Sequence, residues 1–150
     1  MTGDRVLGLD VGDRTIGVAA SDALGLTAQG VETIRRKSWD KDFARLKELM
    51  ELYETDTFIV GLPKNMNGTQ GERCDVVRDF AQRLQKKFKG SQVVFWDERL
   101  STVAAERSLI AADVSRAKRR KVIDKMAAVF ILQGYLDNLG MRVGAVPEEK

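Results

Sequence analysis

The sequence predicts an α/β domain built on a mixed five-stranded sheet, in the order βββαβαβαα with helices on both faces. Three observations carry this. Residues 5–34 hold three short strand-like segments separated by turns, and from residue 40 onward segments of helical period alternate with short apolar runs. The length of 150 residues fits a single domain, 1–150, with one sizeable core.

Arg5 to Val11 carries Val6, Leu7, Leu9 and Val11, and Gly12-Asp13-Arg14 then makes a tight turn. Thr15 to Ser21 follows as the second arm of an antiparallel hairpin. Leu26 to Ile34 alternates loosely and completes a three-stranded meander. Asp40 to Tyr53 reads as a helix, with Phe43, Leu46, Met50 and Tyr53 on one face. Thr57 to Gly61 is a continuous apolar run, as expected of a strand buried on both faces. A loop with Asn65, Asn67 and Gly68 leads to a helix from Gln70 to Phe88, whose core stripe is Val76 or Val77, Phe80, Leu84 and Phe88. Gln92 to Trp96 is another buried strand, ended by Asp97-Glu98-Arg99. Ser101 is placed to cap a helix through Ala111, and Ser115 to cap the longest helix, ending at Leu139 with Gly140 as its stop. The tail beyond Gly140 is expected to fray. Right-handed crossovers add the later strands in parallel.

Composition narrows the chemistry. No apolar run is long enough to span a bilayer and no signal peptide is evident, so a cytoplasmic protein with no membrane partner is expected. A single cysteine, Cys74, excludes an internal disulfide and a multi-cysteine zinc site. Histidine is absent, which excludes imidazole ligands, bases and triads. A net charge of +3 leans mildly towards an anionic partner.

Among 22 acidic residues, three occupy positions that need a reason. Asp10 interrupts an apolar strand on the face of Val6 and Gly8, where an ionised carboxylate is costly unless paired or bound to a cation. A turn carboxylate bonded to the Gly12 or Thr15 amides is the ordinary alternative. Glu98 ends the last buried strand, where open α/β sheets place ligand sites, though a capping or surface acid would look the same. Asp124 lies in the apolar part of the final helix beside Val122, Ile123, Met126, Ala127 and Ala128, with pairing to Lys121 or Lys125 as its bland alternative. If the first and fourth strands are neighbours, Asp10 and Glu98 face one crevice, and the last helix can bring Asp124 over it. Three carboxylates without histidine suit Mg²⁺ or Mn²⁺. Such ions, roughly 3.5–4 Å apart, serve phosphodiester hydrolysis. Glycoside hydrolysis would need an aromatic-lined cleft, for which 7% aromatics leaves few candidates. Asp13, Asp22 and Asp97 are decoys, and strand alternation sends only one of Asp97 and Glu98 into the site.

Arg116, Lys118, Arg119, Arg120 and Lys121 crowd the first turns of the last helix, where the helix dipole disfavours positive charge. That arrangement favours an anionic partner, and a phosphate backbone held there would reach Asp124. Arg35-Arg36-Lys37 could extend the track, although an exposed loop explains it equally well. Lys64, Asn65 and Asn67 are candidate polar contacts, or plain turn residues.

The ordered blocks LGLDVGDRTIGVAASD, IVGLPKNMNGTQGER, WDERLST and IDKMAAVFILQGYLD closely resemble those of the YqgF-type family, over Arg5 to Leu139. Its members are described as pre-16S rRNA nucleases and as Holliday-junction-resolvase-like proteins with a ribonuclease H-like fold. The resemblance places the family's first-strand acid on Asp10, its DER-motif acid on Glu98 and its final-helix acid on Asp124. It implies a divalent-metal-dependent endonuclease with Mg²⁺ or Mn²⁺, maturing the 5′ end of pre-16S rRNA during ribosome biogenesis, as a monomer or homodimer. A resolvase acting on branched DNA keeps the same site, and a two-fold dimer would suit it. A non-catalytic RNA-binding assembly factor would leave clustered acids repelling one another and the RNA. Asp10-x-Gly12 with Gly17 also resembles the first phosphate loop of actin-like and sugar-kinase ATPases, which close two such domains around the nucleotide.

Overall fold

A computed structural model describes residues 5–64, 67–100 and 116–145, with Leu100, 116–124 and 140–145 described by backbone alone. The strands are β1 (Leu7–Val11), β2 (Thr15–Ser21), β3 (Ala28–Arg35), β4 (Thr57–Leu62) and β5 (Gln92–Asp97). The helices are α1 (Trp39–Leu52), α2 (Glu72–Lys87) and α3 (Arg116–Ala145), and a single 3₁₀ turn, Glu98–Leu100, follows β5. The sheet order is β3-β2-β1-β4-β5. The meander pairs antiparallel and β4 and β5 add in parallel, as expected, and β1 lies centrally beside β4, which meets the condition for Asp10 and Glu98 to face one crevice.

Alternation along the strands sorts the side chains into two layers. Leu7, Leu9 and Val11, Ile16, Val18 and Ala20, and Phe58, Val60 and Leu62 form one core with Phe43, Leu46 and Leu49 of α1 and Cys74, Val77, Phe80 and Leu84 of α2. Between the two alternatives in the α2 stripe, Val77 is therefore the core residue. On the other face, Ala19, Ile59 and Trp96 meet Ala127, Ala128, Ile131, Leu132 and Leu136 of α3. Helices thus cover both faces, with α3 alone on its side among the described residues.

Local chemistry agrees with these elements. The Ser38 hydroxyl accepts the Lys41 N–H at 3.2 Å and caps α1, whose first turn carries Asp40 and Asp42. Gly12 N–H donates to the Thr15 carbonyl at 2.8 Å and closes the β1–β2 turn. At the far edge, the Gln133 side chain accepts the Ala28 N–H at 2.9 Å and donates to the Leu26 carbonyl at 3.0 Å, tying α3 to the start of β3.

The final helix departs from expectation, since it continues through Gly140 to Ala145. A glycine inside a helix costs about 1 kcal/mol relative to alanine, but its backbone still makes the ladder bonds, so it ends a helix only where the chain turns left-handed. The other described boundaries fall within two residues of those read from sequence. The proposed Ser101–Ala111 helix, the Ser115 cap and the last five residues lie outside the described residues. No helix among the described residues is long and apolar enough to cross a membrane.

Glycine decides how closely α3 approaches the sheet. A Cβ on Gly8 would stand 2.8 Å from Leu132 Cβ and 3.2 Å from the Ala128 carbonyl oxygen, both on the helix that caps this face. A Cβ on Gly30 would meet only the stem of Lys125, at 2.9 Å from Cγ, which can swing aside. Gly8→Ala should therefore lower unfolding free energy by about 1–3 kcal/mol in denaturant melts. Gly30→Ala should stay within about 0.5 kcal/mol of the parent protein.

Candidate active site

Asp10 sits inside the β1 ladder, opposite Gly17 on β2. The parallel β1–β4 register runs to Leu9 beside Val60, so Gly61 is the next neighbour on the other side. Asp10 therefore stands between two glycines, on the face of Gly8 that α3 covers. Its backbone belongs to the strand ladder, one residue before the strand ends. Glu98 arrives from β5: Trp96 packs in the α3-side cluster, and the chain turns into the 3₁₀ segment two residues later. A Cβ on Gly61 would meet the Glu98 carboxylate oxygen Oε2 at 2.7 Å and would overlap Ile131 Cδ1. The space that Gly61 leaves open is the space that Glu98 and α3 share. Asp10 and Glu98 thus converge, both half-buried, at the carboxyl ends of β1, β4 and β5.

Asp124 lies in α3 one turn before Ala127 and Ala128, both fully buried against the sheet. Its side chain lies outside the described residues, as do those of Arg116, Lys118, Arg119, Arg120 and Lys121, and all of Asn65. The backbone does set that cationic run in the opening turns of α3. Among the described residues no group of three acidic or cysteine side chains forms a metal cage.

The decoy carboxylates have other employment. Asp97 accepts from Arg99 Nη2 at 2.7 Å and from the Arg99 backbone N–H at 2.9 Å. These bonds, chiefly from the guanidinium, hold its carboxyl below the ordinary aspartate range. Lys64 Nζ stands 4.0 Å from the same carboxylate, so the charge of this expected nucleic-acid contact is partly engaged within the protein. Asp13, 76% exposed, pairs with Arg73 at 3.1 Å. Asp22 accepts the Leu26 N–H at 2.8 Å and organises the β2–β3 loop.

Two arginines brace the turn that follows Asp10. Arg73 Nη2 donates to the Val11 carbonyl at 3.0 Å, and Arg36 Nη1 to the Gly12 carbonyl at 2.9 Å. Arg36 is itself fixed by Asp42, at 3.3 Å and only 3% exposed, and its guanidinium lies over the rings of Trp39 and Phe80 at 4.8 and 5.5 Å. The Arg35-Arg36-Lys37 run is thus not uniformly a surface track, because Arg36 is committed to the interior. Sequence reading missed both bracing arginines, since no periodicity marks them. It also missed Gly61, although a glycine ending an apolar strand signals close approach.

The donor set suits a hard divalent cation. The Glu98 carboxylate occupies the space that a side chain on Gly61 would fill, beside the strand that carries Asp10, and the chain has no imidazole to offer. The sequence model of the RuvX family, described as Holliday junction resolvase, matches residues 4–138.

The chain belongs to the RuvX (YqgF) family of Holliday junction resolvase-like proteins.

Relatives in this RuvX family are close in sequence. A protein of Desulfitobacterium hafniense (strain DSM 10664 / DCB-2) named "Putative pre-16S rRNA nuclease" is 59% identical over 140 residues, covering 93% of this chain and 96% of that one. One of the same name from Clostridium botulinum (strain Hall / ATCC 3502 / NCTC 13319 / Type A) is 56% identical over 135 residues, covering 90% and 98%. Among solved structures, "T. thermophilus RuvC in complex with Holliday junction substrate" aligns over 91% of this chain and 96% of its own, with TM-score 0.55 and 13% identity. That likeness establishes the ribonuclease H-like fold of this RuvX member.

Gly61→Ala is the direct test of the cradle. Overpacking against Ile131 should cost about 1–3 kcal/mol in denaturant melts. It should also depress nucleic-acid cleavage well below that of Gly8→Ala, because only the Gly61 change meets the Glu98 carboxylate.

Proposed function

We propose that this protein is a divalent-metal-dependent endonuclease that processes the 5′ end of pre-16S rRNA. The observation that carries the reading is the convergence of Asp10 and Glu98 over Gly61, on the face that α3 covers, in a chain of this family. The names of the 56–59% identical relatives, which refer to pre-16S rRNA, support that choice of substrate.

Asp10, Glu98 and Asp124 would hold Mg²⁺ or Mn²⁺, which when bound activates water and stabilises the leaving oxygen of a phosphodiester. The rest falls to the chain. The β1 ladder and the Arg36 and Arg73 braces keep the Asp10 strand end from shifting when charge gathers beside it. Ile131 and the alanines of α3 close the floor of the site to water. Arg116, Lys118, Arg119, Arg120 and Lys121, with Lys64 and Asn65, would hold the phosphate backbone across the opening. With no histidine in the chain, protons pass between water, carboxylates and the departing oxygen. Such a site requires no second subunit for a single cut.

A 5′-extended 16S rRNA precursor fragment and a four-way DNA junction, each assayed with Mg²⁺, Mn²⁺ or EDTA, test the assignment. Metal-dependent cutting of the RNA is expected. Asp10→Asn should reduce it by at least about 100-fold, beyond the 10–100-fold typical of groups that only support a ligand. RNA binding should survive that change, because the cationic helix start is untouched. Junction cutting alone would transfer the assignment to a resolvase, and RNA binding without cutting under any metal would make the protein an assembly factor.

A further inference from the structure

The corner where the β1–β2 turn meets the end of β3 carries positive charge that enters no ion pair among the described residues. We infer that Arg14, Arg35 and Lys37 form a second phosphate-contact site, gripping the nucleic-acid backbone on the β3 side of the Asp10–Glu98 pair. This rests on the nuclease reading above and extends it to how the substrate is held.

The geometry follows from register. Asp10, Gly17 and Thr33 share a rung across β1, β2 and β3, and Thr15 pairs with Arg35 two residues further along. Ile34 packs in the α1–α2 core, so alternation puts Thr33 and Arg35 on the face that carries Asp10. Ordinary sheet spacings then separate the Arg35 and Asp10 backbones by about 12 Å, a few nucleotides of chain. Arg14, Arg35 and Lys37 are all exposed.

Their backbone is held in place. Arg36 N–H donates to the Arg14 carbonyl at 2.8 Å, and Lys37 N–H donates to the Asp42 carboxylate at 3.0 Å. The nearby acids are otherwise engaged: Arg73 takes Asp13, and Arg36 takes Asp42. Among the described residues no ion pair joins Arg14, Arg35 or Lys37 to an acid, while Arg36 between them braces the turn from within. A fixed loop that spends its interior arginine on structure and keeps its outer cations uncompensated is built to meet an external polyanion. The partner is a phosphodiester backbone, because three clustered cations are met by phosphate oxygens whatever the base sequence.

The experiment compares the full-length protein with R14A/R35A/K37A, with R14K/R35K, and with K86A/K87A/K89A. The last removes the same charge at the opposite edge of the sheet, where α2 ends and β5 has yet to begin. Binding to a single-stranded RNA carrying the processing site is measured in EDTA across a salt series. Three lost contacts should flatten the salt slope by about 2 and weaken binding by tens-fold at 0.1 M salt. R14K/R35K should restore both, since a charge at each position suffices. Shortening the RNA on one flank of the cut should weaken the parent protein but leave R14A/R35A/K37A unchanged. Equal effects of R14A/R35A/K37A and K86A/K87A/K89A, or an unaltered slope, would overturn the inference while leaving the nuclease assignment standing. If the parent protein binds RNA through this corner but cuts nothing with Mg²⁺ or Mn²⁺, the contact site stands and the nuclease reading falls. Absence of RNA binding by the parent protein would end both.

Discussion

Everything in this molecule depends on how closely one helix can lie against one face of the sheet. Three glycines, Gly8, Gly17 and Gly61, occupy that face around Asp10, and two fully buried alanines of α3 answer them. The near-contact of Gly8 with Leu132, and of Gly61 with Ile131 and Glu98, shows that no methyl group could be added without moving the helix or the carboxylate. The same subtraction of side chains that permits dense packing opens room for acids. Packing and chemistry therefore share one set of atoms, and neither can be altered alone.

The opposite face is an ordinary apolar interior, and it supports the site indirectly. Arg36 is the link. Its guanidinium rests on Trp39 and Phe80, is neutralised by buried Asp42, and reaches through to the Gly12 carbonyl. A buried ion pair of this kind adds little net stability when compared with an apolar substitute, but it fixes geometry, because moving either partner strands a charge. The turn after Asp10 is thereby referenced to the α1–α2 layer as well as to its own hairpin.

Much of this was legible in the chain. The strands announced themselves through period and apolar runs, whereas the neighbouring of β1 and β4, left as a condition by the sequence, comes from the sheet order. Asp10 and Glu98 stood out because each breaks a pattern: an acid inside an apolar strand, and an acid at the end of another. Alternation told only that one of Asp97 and Glu98 could face the site; which one came from the resemblance of the DER motif. What periodicity could not reveal were contacts between residues far apart with no repeating partner, such as Arg73 on Val11 or Lys64 beside Asp97. The helix end was misplaced for a different reason: Gly140 is permitted to stop a helix but not compelled to, and only the backbone beyond it decides.

The order of elements along the chain has a consequence for synthesis. The hairpin bearing Asp10 precedes the other described elements, yet the helix that covers its face follows every strand of the sheet. Until α3 has left the ribosome, Ala19, Ile59 and Trp96 lack their partners and that side of the sheet stays open to water. Layering of α1 and α2 on the other side can proceed meanwhile, since all their partners precede residue 98. A chain truncated before α3 would therefore hold a half-built sandwich, prone to associate through its bare face. The apolar face beside Asp10 is covered in a single late step.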